Sequence, residues 1–173
     1  MKHTKNILKS LLITVMAFSL LAVSCKKDEG GSKPTDPTVI IDAATLDGAI
    51  KLAAAQLATD TTLSGKVTFD FNSFTSADGK GNASATVSAA VTEAVLKTAL
   101  ESAFTTSSDN YSSTADAGTI ADDAKKADLT ITITLKGNNT FASDISPAYT
   151  KEGEKAVKTV ITITSDKKWN GNN

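Results

Sequence analysis

The feature that most limits what this chain can fold into is a strict two-residue alternation near its C-terminal end. In Asp128–Lys136, "DLTITITLK", Leu129, Ile131, Ile133 and Leu135 alternate with threonines. Ala156–Ser165, "AVKTVITITS", repeats the pattern with Val157, Val160 or Ile161, and Ile163. A period of two puts the aliphatic side chains on one face of a strand and the threonines on the other. Threonine is polar enough to meet water and β-branched enough to favour the pleat. Both segments therefore predict strands of a sheet with one dry and one wet face.

The rest of the chain must supply the cover for the dry face. Asp42–Thr59 has helical spacing, with Leu46, Ile50, Ala53 or Ala54, and Leu57 on one side. Its alanines favour the helix, and Asp42 or Thr45 is a candidate N-cap. Val91–Phe104 predicts a second helix, with Val91, Val95, Ala99 and Ala103 on one face and Leu96, Leu100 and Phe104 beside them. Lys66–Phe74 alternates through Val67, Phe69 and Phe71, and Asn82–Ala89 offers a weaker return strand after the turn-like Ser76–Gly81. Thr105–Gly118 reads as a long Ser/Thr-rich loop, Thr119–Ala127 as a short helix, and Asp166–Asn173 as a polar tail with Trp169 plugging the last strand. Gly137-Asn138-Asn139 suits a tight turn from which Thr140–Ala142 pairs back. Asp47–Lys51 and Glu93–Lys97 echo one another, which suggests an internal αββ repeat. The expectation is an α+β fold: a mainly antiparallel sheet of about four strands with two main helices on one face.

The first residues carry a different message. Met1–Ser10 hold Lys2, Lys5 and Lys9 and no acid, and Leu11–Val23 are apolar apart from Thr14 and Ser19. An apolar run of about 13 residues is short of the roughly 20 that a membrane-spanning helix needs. A basic stretch, a short apolar stretch and small residues after it make a secretory signal peptide. Ala22-Val23-Ser24-Cys25 resembles the lipobox of bacterial lipoproteins. That resemblance implies cleavage before Cys25, a diacylglycerol on its thiol and usually a fatty acid such as palmitate on the new amino terminus. Lys26-Lys27-Asp28-Glu29 follows, similar to the charged tether of surface-exposed lipoproteins. No aspartate stands directly after Cys25, so the inner-membrane retention signal is not met. The expected organisation is a signal peptide over 1–24, the lipidated cysteine and a flexible tether over 25–38, and one domain over 39–173. The implied location is the cell envelope, lipid-anchored at the outer membrane and facing the surface.

Composition narrows the chemistry after processing. The single histidine, His3, leaves with the signal, the single cysteine becomes a thioether, and arginine is absent throughout. Ser-His-Asp and Cys-His catalysis and ordinary zinc sites are thereby removed, as are bidentate guanidinium clamps. From Cys25 onward 15 lysines face 19 acids, a net charge of −4 with no basic stripe, so nucleic acid is not an expected partner. No cofactor is implied.

The remaining oxygen donors form three clusters. Asp70, Asn72, Ser76, Asp78 and Asn82 surround one hairpin, but Phe74 and Lys80 interrupt any calcium-loop pattern and no metal site is expected. Asp122-Asp123 beside Lys125-Lys126 reads as an exposed helix face, and Asp109, Tyr111 and Asp116 lie in the expected loop. Asp70 with Glu93 or Glu101 would serve a carboxylate hydrolase only inside one cleft. The function expected is a non-enzymatic binding module whose ligand is a protein or polymer. The alternatives are an accessory subunit of an envelope complex, which needs a sizeable exposed apolar patch, and a carboxylate hydrolase.

Overall fold

The computed structural model describes residues 37–173. The signal segment, Cys25 and the tether up to Asp36 lie outside the described residues.

Two helices form where the 3.6-residue pattern places them. Helix α1 spans Ala43–Leu57 and buries Leu46, Ile50, Ala53, Ala54 and Leu57. Asp42 starts it, its Oδ1 accepting from the Thr45 N–H at 2.8 Å. Helix α2 spans Glu93–Phe104 and buries Leu96, Ala99, Leu100, Ala103 and Phe104. Its own cap, Thr92, makes no side-chain bond. Asp122 acts instead, its Oδ1 accepting from the Glu93 N–H at 2.8 Å. An orphan donor at a helix start is thus satisfied from a distant segment.

The strands are β1 (Ile40–Ile41), β2 (Val67–Asp70), β3 (Lys80–Val87), β4 (Tyr111–Asp116), β5 (Lys126–Leu135), β6 (Thr140–Phe141), β7 (Thr150–Lys151) and β8 (Ala156–Ser165). The main sheet has the order β2-β3-β8-β5-β4, with β7 pairing on β8, and β1 and β6 form a small parallel pair. The sheet is mixed: β3 runs parallel to β8, while β2–β3, β5–β8 and β4–β5 are antiparallel. It curls into a half-barrel. Its concave interior is filled by Ala83, Ala85, Val87, Leu129, Ile131, Ile133, Val157, Ile161 and Ile163 together with the buried faces of both helices.

These findings overturn the expected α+β class of about four mainly antiparallel strands. Among the described residues there are two helices and eight strands in two sheets, so the molecule is mostly sheet. Three physical reasons account for the difference. The supposed loop Thr105–Gly118 contains β4, whose core position Ser113 hides the alternation. That buried hydroxyl is tolerated because it donates to the Phe104 carbonyl at 2.7 Å. The expected short helix at Thr119–Ala127 is a turn that runs into β5. Third, each half does follow the expected αββ order, α1-β2-β3 and α2-β4-β5, but β8 from outside the repeat joins the two and breaks the antiparallel pattern. The hairpins β2–β3 and β4–β5 flank β8, one parallel to it and the other antiparallel.

Two glycines permit close approaches. At Gly79 φ is +70°, and a Cβ there would lie 2.2 Å from Thr150 Oγ1. At Gly81 the ring of Phe74 lies where a Cβ would sit, 2.0 Å from it. The C-terminal tail closes the fold: Trp169 is fully buried and its indole N–H donates to the Lys126 carbonyl at 3.3 Å.

Candidate binding face

The alternation of β5 and β8 turns a second set of side chains outward, and the register aligns them in rows. One row runs Asp70, Ser84, Thr164, Lys126. The next runs Asn82, Thr162, Asp128. A third runs Lys80, Val160, Thr130, Asp116, and a fourth Lys158, Thr132, Thr114. Strands about 4.8 Å apart and roughly 6.7 Å between same-face residues make this a regular lattice in which hydroxyls alternate with charged groups of both signs. Thr86, Ser84, Asn82, Thr114, Thr134 and Thr164 are exposed, while Thr130, Thr132 and Thr162 are half-buried between neighbours. Thr162 donates to Asp128 Oδ1 at 2.6 Å across the β5–β8 pair. A threonine hydroxyl both donates and accepts. The face is therefore suited to polar, polyhydroxylated or peptide ligands.

Two concave sites lie among the described residues. An apolar crevice between α1, Phe104, Tyr111, Ile131 and Ile133 has a volume of about 20 Å³, room for about one water. Burial there pushes the Tyr111 phenol above its ordinary value. A cleft of about 190 Å³ between the end of α1 and α2 is lined by Gln56, Thr59, Asp60 and Ser102. Its one carboxylate, Asp60 Oδ1, already accepts from Thr62 Oγ1 at 2.5 Å and from the N–H groups of Thr62 and Leu63 at 2.7 and 3.2 Å.

The residues that the sequence singles out as candidates disperse. Asp70 accepts from the Asn72 N–H at 2.8 Å, and Asn82 belongs to the sheet face. Ser76 turns away, donating to Asp47 Oδ1 at 2.8 Å. No group of three or more metal-ligating side chains occurs among the described residues. Asp122 caps α2 rather than lying on a helix of its own, which corrects the expected exposed helix face around Asp122-Asp123. Asp109, Tyr111 and Asp116 do not form a loop surface, because Tyr111 and Asp116 lie in β4 and Tyr111 is buried.

Glu93 and Glu101 fasten the β4–β5 connection to α2. Glu93 Oε1 accepts from the Ile120 N–H at 3.3 Å and Glu101 Oε1 from the Ala117 N–H at 3.1 Å. Lys97 lies between them, bonded to Glu101 at 2.6 Å, to Asp116 at 3.3 Å and to the Gly118 carbonyl at 2.9 Å. The Lys97 hydrogen bond, then the Ala117 N–H, hold Glu101 below its usual carboxylate value. Asp70 stands on the sheet face, apart from both glutamates. A general acid needs the opposite shift, so the hydrolase reading gains no support.

One polar cluster has no signal in the sequence. Asp47 Oδ1 accepts from the Tyr149 hydroxyl at 2.7 Å as well as from Ser76, joining α1 to two loops across 102 and 29 residues. Burial, then the Asp47 carboxylate, raise the Tyr149 phenol far above its ordinary value. This is a neutral donor locking three segments, not a nucleophile.

Fold and face together define a curled, one-sided mixed sheet backed by two helices and presenting a hydroxyl-rich surface. No family model, curated protein or solved structure matches the chain.

Proposed function

We propose that the chain is a lipid-anchored protein of the bacterial cell envelope that displays this domain at the surface as a non-enzymatic binding module. Cys25 carries the lipid, and two or three acyl chains, at about 0.8 kcal/mol per buried CH₂, hold the protein stably in the membrane. The observation that carries the binding role is the alignment, on the wet face of the sheet, of threonine and serine hydroxyls and the Asn82 amide with the charged groups Asp70, Lys126, Asp128, Lys80, Asp116 and Lys158. The accessory-subunit reading calls for a contiguous apolar patch, and the exposed large apolar side chains among the described residues are Ile40 on β1 and Leu52 on α1.

The anchoring half of the proposal is tested by growing cells with a labelled fatty acid. The full chain incorporates label and fractionates with membranes, and Cys25→Ser does neither. Equal membrane retention of the Cys25→Ser chain refutes the lipid anchor.

A further inference from the structure

The two edges of the main sheet are finished differently. At β4 the chain returns on itself, and Ser113 exchanges backbone bonds with Thr106 at 2.8 and 3.2 Å. At β2 no segment among the described residues pairs on the outer side. Peptide groups along a strand point alternately to its two sides. The Lys66 carbonyl accepts from the Ser88 N–H at 2.7 Å, so Lys66, Thr68 and Asp70 bond toward β3. Ala85 and Val87, opposite Phe69 and Val67, turn the other way, to Asp166. The Ala85 carbonyl accepts from the Asp166 N–H at 3.1 Å, and the Val87 N–H donates to Asp166 Oδ1 at 2.8 Å. Val67, Phe69 and Phe71 therefore present their backbone groups outward.

Two of those outward groups are already used. The Val67 N–H donates to the Leu63 carbonyl at 3.1 Å, and the Phe71 carbonyl accepts from the Phe74 N–H at 3.0 Å. The Val67 carbonyl, both groups of Phe69 and the Phe71 N–H have no partner among the described residues. Open ladder groups are a template for pairing with another chain. This set is its own complement under a two-fold rotation about Phe69. Phe69 against a second Phe69 makes a reciprocal pair of bonds, and each Phe71 N–H meets the other copy's Val67 carbonyl. The one bond left over in that register would join the Val67 N–H to the Phe71 carbonyl, and those are the groups already occupied. A register centred on Thr68 would set the free Phe69 carbonyl against the occupied Val67 N–H. The side chains agree with the first register. Phe69 is only half-buried, so two rings meet beside the axis. On the wet face Thr68 stands opposite Asp70 of the second copy, a pairing that Thr162 and Asp128 already make at 2.6 Å within the sheet. Lys66 lies diagonal to Asp70 of the second copy, and the two Asp70 carboxylates lie diagonal to each other. Each copy also brings Asp60 in the turn before β2. The backbone bonds and the rings, not charge, drive the contact.

We infer that the β2 edge is an interaction surface for a second copy of this chain, β2 pairing antiparallel with β2 about a two-fold axis through Phe69 and joining the two main sheets into one. Such a contact is isologous, each copy offering the same patch, and it removes the open edge. It spans one short strand, so it belongs with small interfaces and the dimer exchanges with the monomer. The inference goes beyond the binding-module reading and does not depend on it.

The experiment follows the full chain in density-matched detergent by sedimentation equilibrium, up to about 1 mM, the effective concentration that short tethers give. A monomer–dimer equilibrium is the expected result. Thr68 is exposed, so its substitution leaves the fold intact, which Tm checks. Thr68→Asp sets like charges opposite Asp70 twice in each dimer and weakens association about tenfold, from roughly threefold per pair. Thr68→Lys sets opposite charges at the same places and tightens it about tenfold. Thr68→Cys mixed with Asp70→Cys forms the mixed disulfide in preference to either symmetric one, because facing residues of this kind have Cα atoms about 4.5 Å apart. Three results overturn the proposal: a monomer at every concentration, which would leave the edge to a strand of another protein; changes of the same sign in both Thr68 variants; or disulfides with no preference for the mixed pair.

Discussion

Thr159 is the one place in the described core where a side-chain hydroxyl is buried without a partner. It lies on the dry face of β8 between Val157 and Ile161 and opposite Ile131 of β5, and it is fully buried. An unpaired hydroxyl taken out of water costs about 1–3 kcal/mol. Valine has the same shape and the same β-branch, so Thr159→Val removes that cost without creating a cavity or straining χ1. The expected gain is about 1–3 kcal/mol, or roughly 3–10 °C in Tm for a domain of this size. Urea unfolding is the assay, and the midpoint rises with the slope unchanged. Thr162→Val is the internal control. That hydroxyl has a partner in Asp128 at 2.6 Å. Its loss is neutral or destabilising by up to about 1.5 kcal/mol. A lower midpoint for Thr159→Val refutes the reasoning, because it would mean the hydroxyl is bonded in the folded protein.

Three further outcomes are expected. Tyr149→Phe removes one of the two side-chain hydroxyls donated to Asp47, and costs about 1.5–3 kcal/mol in urea unfolding. Gly81→Ala sets a methyl 2.0 Å from the Phe74 ring, destabilises by about 1–3 kcal/mol as overpacking does, and is partly rescued by Phe74→Leu in the same background. The acid limb follows from Asp42, Asp60, Glu101, Asp116 and Asp166, all held below their ordinary values by hydrogen bonds. Each contributes stability that is full above its ordinary value and is lost as pH falls through the lower folded value. Tm is therefore flat from pH 7 to about 5 and declines below about 4. A decline already complete at pH 5 would contradict this.

The legibility of the fold followed local pattern strength. Both helices declared themselves through Leu46–Leu57 and Leu96–Phe104, and β5 and β8 through unbroken Ile/Thr alternation. What stayed hidden was set by partners far along the chain. Nothing local announces that β8 inserts between two hairpins, parallel to β3 on one side and antiparallel to β5 on the other. β4 was masked because Ser113, satisfied by the Phe104 carbonyl, stands where an aliphatic residue would have revealed it. β6 and β7 are two residues each, too short to carry a period. The wet face of the sheet was readable from the threonines. Its row structure depends on register, which a strand does not disclose alone. Asp47, Ser76 and Tyr149 meet across up to 102 residues and left no trace in spacing.

The central claim, a binding domain displayed on the cell surface, is tested most directly by protease shaving of intact cells followed by detection of the Val39–Asn173 domain before and after lysis. The domain disappears from intact cells while a periplasmic marker survives. Full protection until lysis would contradict it.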